Sequence, residues 1–94
     1  MKIIRKDIIT KAIKRNADSR SSLKSWLVEV EKAEWKSFQG IKRRFASASL
    51  IRDGLVIFNI GGNKYRLAVW VAYKTKIVNV FWFGTHAEYS RKKF

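Results

Sequence analysis

Two short constellations in the C-terminal half carry the side chains best suited to chemistry. Lys64, Tyr65 and Arg66 follow directly on a Gly61-Gly62-Asn63 bend, and His86, the only histidine, stands three residues before Tyr89. Together these types can cleave RNA without a metal. The reaction needs a base for the ribose 2′-hydroxyl, an acid for the departing 5′-oxygen and cations against the charge of the phosphorane. Arginine grips phosphate through two parallel hydrogen bonds. Residues two apart on a strand project from one face, so Lys64 and Arg66 are expected to present their charges together. Histidine titrates nearest neutrality, and surrounding cations favour a neutral ring able to take a proton. Tyr89 can donate a proton or stack on a base, and Trp70, Trp82 and Phe83 offer further stacking surfaces. Each residue also has a blander role open to it. Lys64 and Arg66 suit an exposed sheet face, His86 a surface or capping position, and the aromatic residues ordinary packing.

These residues need a scaffold, and the sequence patterning describes one. Lys2 to Arg5 reads as a short strand. Ile8, Ile9, Ala12 and Ile13 then fall on one helical face, with Lys11, Lys14 and Arg15 outside it. Asn16 to Ser19 breaks that helix, and Asp18 or Ser19 is expected to cap the next. Leu23, Trp26, Leu27 and Val30 repeat at helical spacing to about Trp35, and Phe38, Ile41 and Phe45 suggest a third short helix. That helix would carry Lys42, Arg43 and Arg44 on its exposed side. Asp53-Gly54 marks a turn, and Leu55 to Ile60 is apolar on both faces, as in a central strand. Gly61-Gly62 suits a hairpin bend. From Lys64 to Tyr73 the alternation separates Tyr65, Leu67, Val69, Val71 and Tyr73 from Lys64, Arg66, Ala68, Trp70 and Ala72. Lys76 to Phe83 makes the last strand. The expected order is β-α-α-(α)-β-β-β, a single α+β domain over residues 1–94 with two to three N-terminal helices packed on a small antiparallel sheet.

Charge narrows the partners. Ninety-four residues with a formal charge of +14 create a field that recruits polyanions, nucleic acid ahead of an anionic membrane. The first 34 residues hold five of the seven acids and nine Lys/Arg, so about +10 of the +14 lies from Trp35 onward. A hydrophobic content of 47% with four tryptophans supplies a core and argues against disorder. With no cysteine and one histidine, a structural zinc site is effectively excluded, and neither a metal nor a cofactor is expected. Met1-Lys2-Ile3-Ile4-Arg5 is charged almost at once and lacks the apolar stretch of a signal peptide, and no apolar run approaches the roughly 20 residues of a membrane span. The absence of disulfide chemistry fits a cytoplasmic protein.

The runs Phe58-Asn59-Ile60-x-Gly62-Asn63-Lys64-Tyr65-Arg66-Leu67 and Gly84-Thr85-His86-Ala87-Glu88-Tyr89 are together similar to the signature of HigB-type toxins. These are the RelE-like mRNA interferases of bacterial toxin–antitoxin systems. The resemblance is strong from about Ile51 to Tyr89 and loose over the helical half. It implies a RelE-like fold and a metal-independent endoribonuclease that cuts mRNA, commonly on the ribosome, and is silenced by a helix-turn-helix antitoxin of the HigA type. It also implies that Asn63, Lys64, Tyr65 and Arg66 grip RNA and that His86 and Tyr89 lie near the scissile phosphate. Lys64 and Arg66 would hold and neutralise that phosphate. The further cations Lys42, Arg43, Arg44, Arg91, Lys92 and Lys93 are expected to serve RNA binding. Two positions depart from the pattern: Ser90 stands where an aspartate is usual, and Phe81 where a basic residue is common. A non-catalytic RNA- or ribosome-binding module of the same fold is the second reading. A DNA-binding domain ranks below both, because no recognition helix with its turn is visible.

Overall fold

The computed structural model describes residues 1–94. In chain order the elements are β1 (Lys2–Ile4), α1 (Lys6–Arg15), a 3-10 turn (Ala17–Ser19), α2 (Arg20–Lys32), α3 (Phe38–Arg44), β2 (Ser49–Arg52), β3 (Leu55–Ile60), β4 (Tyr65–Ala72), β5 (Ile77–Thr85) and α4 (His86–Arg91). The strands form one sheet in the order β1-β5-β4-β3-β2. This α+β sheet is mixed and not wholly antiparallel, since β1 lies parallel to β5, with Ile3 beside Val78. Three residues carry no directional signal, because either orientation of β1 would place its middle residue, Ile3, in the core.

The helical stripes seat α1 and α2 on one face of the sheet. Ile9 and Ala12 of α1 and Leu23, Trp26 and Val30 of α2 are buried. Asp7 in the first turn of α1 and Lys14 and Arg15 in its last turn match the helix dipole. The centre of the core is aromatic. The Phe58 ring meets Trp26 edge-on at 5.4 Å and Phe45 at 5.0 Å, and it stacks on Trp35 at 6.4 Å. Tyr65, Leu67, Val69 and Val71 point into this core as the alternation requires. Helix α2 ends at Lys32, short of the expected Trp35, whose ring turns back to pack on Phe45.

Two elements depart from the expected order. Strand β2 escapes the periodicity because all four of its residues are exposed on an edge, leaving no alternation to read. Helix α4 follows β5 without a break and lies across the second face of the sheet, where Arg66, Ala68 and Trp70 project. Leu55, Ile57 and Ala68 share that second face and are buried there, so it is not simply a solvated surface.

Candidate functional site

The hairpin joining β3 to β4 turns through Gly61 and Gly62, whose φ values of 62° and 68° lie in the left-handed region that glycine tolerates. This bend delivers Asn63 to Arg66 beside the end of β5, where Arg66 pairs in register with Gly84. The missing side chain at Gly84 matters. A Cβ there would come within 2.5 Å of the Trp82 ring, which crosses the glycine closely.

Helix α4 then begins in a reciprocal cap. The Thr85 hydroxyl accepts from the Glu88 amide at 3.1 Å, and the Glu88 carboxylate accepts from the Thr85 amide at 2.7 Å. The His86 amide donates to the Lys64 carbonyl at 2.9 Å, tying α4 to the hairpin. Hydrogen bonding to the Thr85 backbone holds the Glu88 carboxyl below its ordinary value near 4.5. Its folded-state value is therefore the lower one. The cap's contribution is complete above the unfolded value and is lost as pH falls through the folded value. Thr85→Ala is expected to destabilise the fold by about 1 kcal/mol, the usual size of a lost cap. Melting curves across acidic pH check both points, because Glu88→Gln should flatten this part of the acid dependence.

Arg66 is the most constrained cation of the chain, with 7% exposure. Its Nη1 donates to the carbonyls of Asn63 and Tyr65, each at 3.1 Å. Its Nη2 donates to Asn63 Oδ1 at 2.8 Å and meets His86 Nδ1 at 2.8 Å. A guanidinium only donates, so Nδ1 is the acceptor and the ring proton sits on Nε2. The Tyr89 ring centroid lies 5.8 Å from the Arg66 guanidinium carbon, completing a cluster of cation, imidazole and phenol. Ser90, at the position where the family pattern usually has an aspartate, donates to the His86 carbonyl at 3.0 Å.

The structure brings Arg66, His86, Tyr89 and Asn63 together and sends Lys64 and Tyr65 elsewhere. Lys64 precedes β4 and pairs with Asp18, and the Tyr65 hydroxyl donates to the same carboxylate at 2.5 Å. Lys64 and Arg66 therefore diverge and do not share one sheet face. The side-chain period of two fails here because Lys64 still belongs to the turn. The hydrogen bond from Lys64, with that from Tyr65 second, lowers the Asp18 carboxyl, and the bond to Asp18 raises both partners. Asp18 thus caps nothing. Ser19 sits at the cap position of α2 but gives its hydroxyl to the Asn16 carbonyl instead.

The remaining cations divide by face. Lys42, Arg43 and Arg44 are exposed on α3, in the helical layer away from Arg66. Lys42 donates to the Ala48 carbonyl and Arg44 pairs with Glu29. Arg91 closes α4, Lys92 lies 5.6 Å from the Trp82 ring centroid, and Lys93 is exposed. Five of the seven acids form ion pairs, with Arg5, Lys6, Arg44, Lys64 and Lys76. None of these pairs involves Arg52, Arg66, Arg91, Lys92 or Lys93, so the second sheet face is among the surfaces that carry cations without an acidic partner. Three shallow clefts of about 310, 320 and 270 Å³ indent the surface, and none is lined by Arg66, His86 or Tyr89. The cluster is a surface site, which suits a polymer better than an enclosed small molecule. No group of three or more His, Asp or Glu side chains is placed to hold a metal ion.

Sequence reasoning missed Asp18 as a partner of the hairpin, because an acid between two helices reads first as a cap. It also missed α4, although Thr85-His86-Ala87-Glu88 carries the Thr-x-x-Glu pattern of a capping box.

A small mixed sheet with helices packed on one face is consistent with a RelE-like fold. Residues 19–92 match the family model of HigB toxins, described as the RelE-like toxic component of a toxin–antitoxin system. The chain belongs to the HigB toxin family. No curated protein matches it significantly. No helix is long and apolar enough to cross a membrane.

Proposed function

We propose that this protein is a metal-independent endoribonuclease that cuts mRNA on the ribosome in the cytoplasm and is neutralised by a helix-turn-helix antitoxin of the HigA type. The observation that carries the reading is the 2.8 Å contact between Arg66 Nη2 and His86 Nδ1, with Tyr89 alongside. It leaves the imidazole neutral and gives its lone pair a donor that a phosphate can recruit away. Arg66 turns to the scissile phosphate, and His86 Nδ1 is released as a base. The 2′-hydroxyl loses its proton to His86 while its oxygen attacks phosphorus. The bond from phosphorus to the 5′-oxygen breaks, and the Tyr89 phenol gives its proton to that oxygen. The products are a 2′,3′-cyclic phosphate and a free 5′-hydroxyl. Asn63 is a positioning residue, since both its carbonyl and its side-chain oxygen hold the guanidinium.

The deciding assay uses ribosomes programmed with mRNA. Cleavage is expected to persist in EDTA and to leave 2′,3′-cyclic or 3′-phosphate ends. The affinity of the protein for RNA should also fall steeply with salt, because the cations displace counterions from phosphates. Ribosome binding with intact mRNA would reject the nuclease and leave the non-catalytic module in its place.

A further inference from the structure

The second face of the sheet carries more than the Arg66 cluster. From Tyr89 a connected series of rings runs across it. Tyr89 stacks on Phe94 at 5.8 Å and meets Trp82 at 6.3 Å. Phe94 meets Phe81 edge-on at 5.8 Å, and Phe81 stacks on Trp70 at 5.8 Å. Trp70 leaves 39% of its surface exposed, which is unusual for a tryptophan in the middle of a central strand.

A cation attends each end and the middle of this series. The Arg66 guanidinium lies 5.8 Å from Tyr89, the Lys92 ammonium 5.6 Å from Trp82, and the Arg52 guanidinium 5.8 Å from Trp70. None of the three pairs with an Asp or Glu side chain; Arg52 Nη1 donates to the Phe94 main-chain oxygen at 2.5 Å, a bond that an incoming phosphate replaces. Trp70, unlike its half-buried neighbours Phe81, Trp82, Tyr89 and Phe94, is left uncovered, and a patch built for an apolar protein partner would not be interleaved with cations that lack acidic partners. Rings with cations beside them form the surface that single-stranded nucleic acid uses, bases on the rings and phosphates on the cations.

We infer that this face is a stacking platform for single-stranded RNA flanking the cleavage site, with Trp70 taking a base and Arg52 its phosphate, so that the protein holds several nucleotides without help from the ribosome. The inference rests on reading the Arg66–His86–Tyr89 cluster as the point where RNA is cut. The path of the strand runs between Arg66 at one end of the platform and Arg52 at the other.

The test is binding of 2′-O-methyl oligoribonucleotides, which lack the attacking hydroxyl and stay intact. Wild-type protein is expected to bind a decanucleotide far more tightly than a trinucleotide. Trp70→Ala is expected to weaken decanucleotide binding by about 5- to 150-fold, the range for one lost base stack, while Trp70→Phe retains most of it. Arg52→Ala should weaken the decanucleotide too and lower its salt dependence. Melting curves identify any variant that has lost its fold, and because Trp70 is exposed the Phe variant keeps the test open. Equal affinity of wild type and Trp70→Ala for the decanucleotide overturns the inference, as does a Phe variant no better than Ala. A Trp70→Ala protein that binds RNA normally but no longer holds its antitoxin also overturns it, and assigns the face to protein docking. A protein that shows the Trp70-dependent length effect but never cuts mRNA keeps the platform and rejects the nuclease.

Discussion

His86→Ala and Tyr89→Phe are each expected to slow mRNA cleavage by a factor on the order of 10² or more, the usual scale for a lost base or acid. Neither change should disturb the scaffold. The His86 contact that ties α4 to the hairpin is made by its backbone amide, which alanine keeps. Phenylalanine keeps the ring that packs on Phe94 and Trp82 and removes only the hydroxyl. RNA binding should therefore change little in either variant, since the imidazole that accepts from Arg66 carries no charge to lose. Rates measured on programmed ribosomes, beside affinities for an uncleavable oligoribonucleotide, separate the two effects. Cleavage that survives both substitutions removes His86 and Tyr89 from the chemistry.

The helical layer and the central strands were legible in the sequence because their burial is periodic. Leu23, Trp26 and Val30 mark one face of α2, and Tyr65, Leu67, Val69 and Val71 mark one face of β4. The gathering of Arg66, His86, Asn63 and Tyr89 was legible through the family pattern and not through spacing, because twenty residues separate the two motifs. Lys64 shows why spacing alone misleads. Its position two before Arg66 implies a shared face only inside a strand, and the turn rotates it toward Asp18. Strand β2 was invisible because an exposed edge needs no apolar alternation. Helix α4 was obscured by being one short turn joined directly to a strand, with its capping residues inside the motif read for chemistry. The exposed Trp70 and its neighbour Phe81 became informative only when the sheet placed Phe94 and Arg52 beside them.

Arg66→Ala is the substitution expected to cost most, with cleavage falling by about 10³ or more. A transition-state donor alone contributes about 10² to 10³, and here the same guanidinium also grips the phosphate in the ground state. The loss has a structural part as well. Alanine at this position, opposite Gly84, leaves the oxygens of Asn63 and the Nδ1 of His86 without their donor. Asn63 and His86 are both exposed, so water satisfies these acceptors and the melting temperature should fall only modestly. Arg66→Lys separates charge from geometry. An ammonium keeps the positive charge but cannot reach Asn63 and His86 together as the planar fork does. It should bind the uncleavable RNA nearly as wild type does and still cut on the order of 10²-fold more slowly. Wild-type cleavage by Arg66→Lys would reduce Arg66 to a general counter-charge. Cleavage by Arg66→Ala within tenfold of wild type would remove it from the phosphate site altogether. The hairpin holds the fixed fork through Asn63 and the Tyr65 carbonyl, and its orientation toward His86 is the property these two variants measure.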